Sequence, residues 1–108
     1  MRYRLLDGPA FQEALQAPRK PWVLDLRKPA AFAAGHVPGA RNIPVHDLPK
    51  SRRMLPPTLV ERMLLIADTP KRAEAGANFL ALMGYADLAI LVGGLDAYPG
   101  ELESTLED

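Results

Sequence analysis

Apolar residues fall into short uninterrupted runs, which alternate with segments of helical period and with connections rich in proline and glycine. The runs at 22–26, 63–67 and 88–92 are long enough for strands buried on both faces and too short for helices. Two weaker candidates, 3–6 and 41–43, bring the predicted strands to five. Strands that alternate with helices predict an α/β fold, with a mostly parallel five-stranded sheet and helices on both faces.

We expect residues 1–108 to form one such domain, with a core from about residue 5 to 98. Residues 99–108 are an acidic tail, of which residues 101–108 are expected to be a final helical turn or frayed. Shorter helices are predicted at 9–16 and 29–34, and a one-turn helix carries a solvent-facing His46.

The best-defined unit is a buried strand, a turn and a helix in the middle of the chain. Thr69 is predicted to cap the helix and Pro70 to be its first residue. The helical period places Ala73, Ala77, Leu80 and Gly84 on one face, with Phe79, Leu82 and Met83 beside it. Gly84 follows the last periodic residue, where left-handed backbone is expected.

The loop that joins this strand to this helix is the candidate site. In α/β folds, ligands bind at the carboxyl ends of strands and the amino ends of helices. Six residues form the loop here: Ala67, Asp68, Thr69, Pro70, Lys71 and Arg72.

Composition restricts the chemistry more than the fold. The 108 residues are 48% hydrophobic and 24% charged, which is ordinary for a globular domain. No apolar run approaches the roughly 18 residues of a membrane span, and residues 2–7 begin no signal peptide. We therefore expect a cytoplasmic protein without membrane contact. The chain has no cysteine, which excludes disulfides, thiolate metal sites and thiol catalysis.

Charge is unevenly distributed, although the net charge is zero. All 13 basic residues lie at or before Arg72 beside six acids, giving +7, and seven acids without a base follow, giving −7. We expect the fold to interleave both halves and mix these charges; the alternative is a basic partner surface and an acidic tail. The only basic cluster, 50–53, has no interleaved aromatic residues, so we expect a solvated loop and no nucleic-acid partner.

Two motifs identify a family resemblance. The segment from Leu24 to Pro44 resembles the amino-terminal signature of rhodanese-like domains, and Gly93 to Tyr98 resembles their carboxyl-terminal signature, with Tyr98 where Trp is usual. The resemblance covers about residues 11–98 and implies the rhodanese-like α/β fold. Active members carry a Cys-x-x-x-x-Arg loop. Counting back from Gly84 places Arg72 on the family arginine and Ala67 on the family cysteine.

The resemblance implies a reaction that this loop cannot perform. Sulfur transfer requires a thiolate nucleophile, and the phosphatases and arsenate reductases of the same fold require the same cysteine. Ala67 has no nucleophilic atom, so we expect no catalytic residue. The alternative is an enzyme that works through Asp68 and Arg72, with His36 as a further candidate. A carboxylate forms no stable persulfide, and Asp68 sits one residue beyond the family position.

Other residues are assigned by the same resemblance. Asp25 is read as a structural carboxylate in preference to a catalytic acid, and His36 as a hydrogen-bonding turn residue in preference to a base or metal ligand. The structural motif positions are Asp25, Gly35, His36, Gly39, Gly93 and Gly94. Three arginines are expected to make the mouth of the loop positive: Arg27, Arg41 and Arg72. These assignments predict a module that binds a protein or a small anion, without a metal or cofactor, and leave the oligomeric state open.

Overall fold

All five strands pair in parallel within one sheet. The computed structural model describes residues 2–105. The strands are β1 (Arg4–Leu6), β2 (Trp22–Asp25), β3 (Arg41–Asn42), β4 (Met63–Ile66) and β5 (Leu88–Leu91), in the spatial order β1-β5-β4-β2-β3. The helices are α1 (Gly8–Leu15), α2 (Pro29–Ala34) and α3 (Pro70–Leu82), with 3₁₀ turns at Val45–Lys50, Arg52–Met54 and Gly94–Ala97. The predicted fold class is confirmed.

The central strands are buried on both faces, as their continuous apolar runs predict. Every residue of β4 and β5 is buried. Alternate residues enter two separate cores: Leu65 and Ile90 pack on the α3 side, while Leu64 and Leu91 pack with Phe11 of α1 on the other side. Among residues 2–105, no helix has both the length and the apolar composition that a membrane crossing requires.

Helix α3 begins and ends as predicted. The Thr69 hydroxyl accepts a hydrogen bond from the Arg72 amide at 3.2 Å, Pro70 is the first helical residue, and Gly84 has φ +104°. The prediction that Leu82 lies beside the buried face is wrong, because 74% of the surface of Leu82 is exposed. Leu82 lies about 200° around the helix from the buried Leu80, so it faces solvent.

The buried face of α3 also includes a residue that the period did not select. Gly76 is buried against Leu26, the residue that follows β2, and a Cβ at position 76 would lie 2.5 Å from Leu26 Cδ1. The missing side chain therefore allows the helix to approach the sheet closely.

The carboxyl-terminal segment is neither helical nor frayed where the structure describes it, so that expectation is wrong for residues 101–105. Glu103 forms an antiparallel bridge with His36, with both N–H···O distances at 2.8 Å. The Thr105 amide donates to the Ala33 carbonyl of α2 at 3.0 Å. Residues 106–108 of the predicted tail lie outside the described residues.

Candidate functional site

The candidate loop 67–72 connects β4 to α3 and lies against the turn that follows β5. Ala67 is buried, with only 4% of its surface exposed. Gly94 has φ +66°, and a Cβ there would come within 2.9 Å of the Ala67 carbonyl oxygen. Glycine at this position therefore lets the two backbones make close contact.

The polar groups of the loop bind one another. Asp68 Oδ2 accepts a hydrogen bond from Arg72 Nη1 at 2.6 Å. The Arg72 amide donates to the Thr69 hydroxyl, and the Ala73 amide donates to the Thr69 carbonyl at 3.0 Å. Pro70 has no N–H to offer. The first turn of α3 therefore presents fewer free donors than a helix amino terminus ordinarily does.

Asp25 and Arg27 form a buried network at the end of β2. Asp25 is fully buried and accepts hydrogen bonds from the Arg27 amide, Nε and Nη2 at 3.0, 2.9 and 2.7 Å. Arg27 Nη2 also donates to the Gly35 carbonyl, and Asn42 Nδ2 donates to the carbonyls of residues 25 and 27. In the part of the chain that the structure describes, no buried side-chain nitrogen or oxygen lacks a partner. This network holds the β2 end and the turn after α2 together.

His36 makes contacts in the same turn. Its Nδ1 donates to the Phe32 carbonyl at 2.8 Å, and its ring stacks on the Phe32 ring with centroids 3.9 Å apart. Nε2 lies 3.8 Å from the Glu103 carboxylate. Gly39, with φ +83°, ends the turn, whereas Gly35 is extended at φ 178°. His36 is absent from the residues that line the cavities beside the loop.

The three predicted anion-binding arginines do not converge on one place. Arg27 and Arg72 line a small cleft together with Lys28, His46 and Asp68. The guanidinium of Arg41 lies over the ring of Trp22, 4.4 Å from its centroid, and Trp22 begins β2 at the opposite end of the sheet. Arg27 and Arg72 each already pair with a carboxylate. Anion binding by these arginines stays a prediction.

Two concave surfaces flank the loop. The first, which we name the β1 cavity, has a volume of about 260 Å³ and lies between β1, β5 and the start of α3. Its main lining residues are Leu5, Ala67, Pro70, Ala73, Ile90 and Val92, with Asp68 and Glu74 as its charged members. The second, which we name the basic groove, is lined by Val45, His46, Thr69, Lys71, Arg72 and Ala75. Sequence reasoning missed the β1 cavity, because its walls come from segments distant in the chain.

Comparison with known proteins decides the family. The sequence model of the family described as Rhodanese-like domain matches residues 9–101 of this chain. The chain belongs to the rhodanese-like domain family. A thiosulfate sulfurtransferase GlpE of Pseudomonas putida is 33% identical over 86 residues, which cover 73% of this chain and 74% of the relative. The uncharacterized protein YqhL of Bacillus subtilis is 28% identical over 86 residues, covering 80% of this chain and 67% of the relative.

Solved structures show the same rhodanese-like architecture. The Alr3790 protein of Anabaena sp. superposes with a TM-score of 0.82 at 22% identity, covering 92% of this chain and 82% of that chain. A thiosulfate sulfurtransferase of Pseudomonas aeruginosa superposes with a TM-score of 0.81 at 28% identity. That match covers 98% of this chain but only 20% of the Pseudomonas aeruginosa chain. This rhodanese-like domain contains no cysteine among its 108 residues.

Proposed function

We propose that this chain is a non-catalytic rhodanese-like module that binds a protein or a small anion around loop 67–72. One observation carries the proposal: the residue at the family's cysteine position is Ala67, and no other thiol exists in the chain. Sulfur transfer needs a thiolate that attacks the sulfane sulfur and then holds it as a persulfide. A methyl group does neither.

The alternative enzyme, which would use Asp68 and Arg72, has less support. The Asp68 carboxylate is bound to the Arg72 guanidinium at 2.6 Å, so both groups are occupied by each other. His36 directs Nδ1 to a backbone carbonyl and lines none of the cavities beside the loop. A nucleophile and a base within hydrogen-bonding reach are the ordinary signature of covalent catalysis. These three residues lack that arrangement.

A small anion is a candidate ligand because of the basic groove. Lys71, Arg72 and His46 line this groove, and no acidic residue of the described chain is among its lining residues. Titration with inorganic sulfate and with thiosulfate, followed by calorimetry, tests this candidate. We expect Arg72→Gln to weaken binding and Arg41→Gln to leave it unchanged, since Arg41 lies at the other end of the sheet. Equal effects of the two variants would remove the groove as the binding place.

The absence of catalysis is tested by sulfur transfer from thiosulfate to cyanide. We expect the rate to equal that of buffer, because no thiolate is present. The GlpE protein of Pseudomonas putida, assayed in parallel, is the positive control. A rate that survives repurification and rises with the concentration of this protein would contradict the proposal. A cytoplasmic location stays a prediction.

A further inference from the structure

The outer edge of β1 carries an unpaired backbone group beside an apolar cavity. The Leu6 carbonyl accepts a hydrogen bond from the Val92 amide at 2.8 Å, so the polar groups of Leu6 face β5. Because these groups alternate in direction along a strand, the N–H and C=O of Leu5 face the opposite, outer side. Within residues 2–105, β1 is the last strand on this side of the sheet.

The side chain of Leu5 faces the β1 cavity. Leu5 pairs with Ile90, which belongs to the core on the α3 side, and both residues line the cavity. Leu5 is 53% exposed and Val92 is 49% exposed. Helix α3 covers β4 and β5 but leaves this part of the sheet open. One residue thus offers both an open strand edge and an accessible apolar surface.

The charge around this cavity has one sign. In the described chain, no lysine or arginine lines the cavity, while Asp68 and Glu74 do. Asp68 is paired with Arg72, but Glu74 is exposed and makes no ion pair within residues 2–105. Asp96, two residues beyond the lining Gly94, is also exposed. The free charge in the cavity lining therefore comes from the acidic half of the chain.

We propose that β1 accepts an extended basic peptide by strand addition. In this arrangement, the peptide backbone pairs with the N–H and C=O of Leu5, and an apolar side chain enters the β1 cavity. A lysine or arginine two positions away, on the same face of the added strand, faces Glu74. An added strand lies about 4.8 Å from β1, so its side chains on the α3 side stand next to Leu5. The inference rests on the proposed binding function and specifies the protein partner as an extended segment that carries basic residues.

The favoured occupant is a peptide because the edge offers directional backbone groups as well as apolar surface. A small cationic amphiphile could use the cavity and Glu74 but would leave the Leu5 amide and carbonyl unpaired. A second copy of this chain is a poor basic partner. Within residues 2–105, its two edge strands carry only two basic residues: Arg4 in β1, which is bound to Asp87, and Arg41 in β3, which stacks on Trp22. The charge of the cavity therefore selects a foreign basic segment.

The partner chemistry is tested by selecting binders from a random peptide library displayed on phage. We expect the selected peptides to contain an apolar residue with a lysine or arginine two positions away, because these two side chains share one face of a strand. Leu5→Ser should weaken a selected peptide about three- to tenfold, because about half of a leucine side chain becomes buried on binding. Glu74→Lys should weaken it about fivefold at low salt and less at high salt.

Matched controls lie elsewhere on the surface. Leu82→Ser removes a leucine that is 74% exposed, and Glu101→Lys reverses an exposed acid in the carboxyl-terminal segment. Both should leave peptide affinity unchanged. Selection of acidic peptides, no selection at all, or equal weakening by the control variants would overturn the proposal. Binding of dodecylamine as tight as that of the selected peptide would also overturn it, since no strand is then needed.

Amide hydrogen exchange tests the strand addition itself. The bound peptide should slow exchange at the Leu5 amide, while the Leu6 amide, which already faces β5, changes little. Protection that appears only at Lys71 and Arg72 would place the peptide in the basic groove and overturn the proposal, as would a self-associated protein whose Leu5 amide is protected without peptide. Sulfur transfer is assayed on the same preparations. Activity there would refute the non-catalytic function, whereas lost peptide binding alone would refute only this inference.

Discussion

The carboxyl ends of β2 and β4 are neighbours in the sheet, with Asp25 in register with Ile66, but they are built in opposite ways. At the β2 end, a fully buried carboxylate and a nearly buried guanidinium bind each other and the surrounding backbone. At the β4 end, the Asp68 and Arg72 side chains are 39% and 44% exposed and pair across the loop. The first pair holds the fold together, whereas water can replace much of the second.

This difference explains how the loop can lack a cysteine while the fold persists. Ala67 fills a small, buried, apolar position, and it makes no side-chain hydrogen bond that another residue would need. Loss of a carboxylate from the β2 end would instead leave Arg27 charged and buried without its partner. The two ends therefore predict very different responses to substitution.

Removal of Asp25 should have the largest effect on stability. We expect Asp25→Ala to lower the free energy of unfolding by about 3–5 kcal/mol, because it leaves an uncompensated buried guanidinium. Urea unfolding followed by circular dichroism measures this change. The matched double variant Asp25→Ala/Arg27→Met removes both charges and should be less destabilised than the single variant. A double variant as unstable as Asp25→Ala would show that the charge pairing is not the cause.

Restoring the cysteine alone should not restore a good sulfurtransferase. We expect Ala67→Cys to be slower than Ala67→Cys/Asp68→Arg/Pro70→Gly by about 10²–10³-fold for each missing donor to the developing anion, since Pro70 offers no N–H. Asp68 adds to the difference, because a carboxylate beside the new thiol raises its pKa and lowers the thiolate fraction.

The competing explanation is that Pro70 only begins the helix, so the nucleophile alone was missing. Sulfur transfer from thiosulfate to cyanide compares the two variants, and circular dichroism shows whether both are folded. Equal rates in two folded variants would support the competing explanation.

The sequence predicts the parts of this architecture that depend on local chemistry. The apolar run of β4, the Thr69 cap and Pro70 define the start of α3 because each acts within one turn of the helix. The sequence does not predict the exposure of Leu82, because an apolar residue two positions from Leu80 is expected beside the buried face, whereas Leu82 lies on the opposite side of the helix. Helical glycine is a poor marker of burial, so the contact of Gly76 with Leu26 was also missed.

Contacts between distant segments were beyond sequence reasoning. The bridge between His36 and Glu103 joins residues 67 positions apart in the chain. The stacking of Arg41 on Trp22 depends on the pairing of β2 with β3. The β1 cavity requires β1 to lie beside β5, although the two strands are at opposite ends of the sequence. The position of the candidate loop could therefore be predicted from the sequence, whereas the shape of the two concave surfaces beside it could not.

Removal of the helix cap should have an intermediate effect. Thr69→Ala deletes the acceptor of the Arg72 amide, and we expect a loss of about 1 kcal/mol in the free energy of unfolding, because water can reach the freed amide. Urea unfolding measures it, with Thr69→Ser as the control that keeps the hydroxyl. If Thr69→Ser loses as much stability as Thr69→Ala, the hydrogen bond contributes nothing and the methyl group accounts for the effect.

The smallest effect on stability is expected for the exposed pair of the loop. Asp68→Asn removes an ion pair between residues four positions apart and a negative charge next to a helix amino terminus, which together contribute less than about 1 kcal/mol at low salt. The difference from the unsubstituted protein should shrink at high salt, because exposed charges are screened. The same substitution frees Arg72, so sulfate should bind the basic groove more tightly if an anion is its ligand. A stability loss as large as that of Asp25→Ala, unchanged by salt, would mean that the β4 end is as structurally demanding as the β2 end, and the contrast between the two would fail.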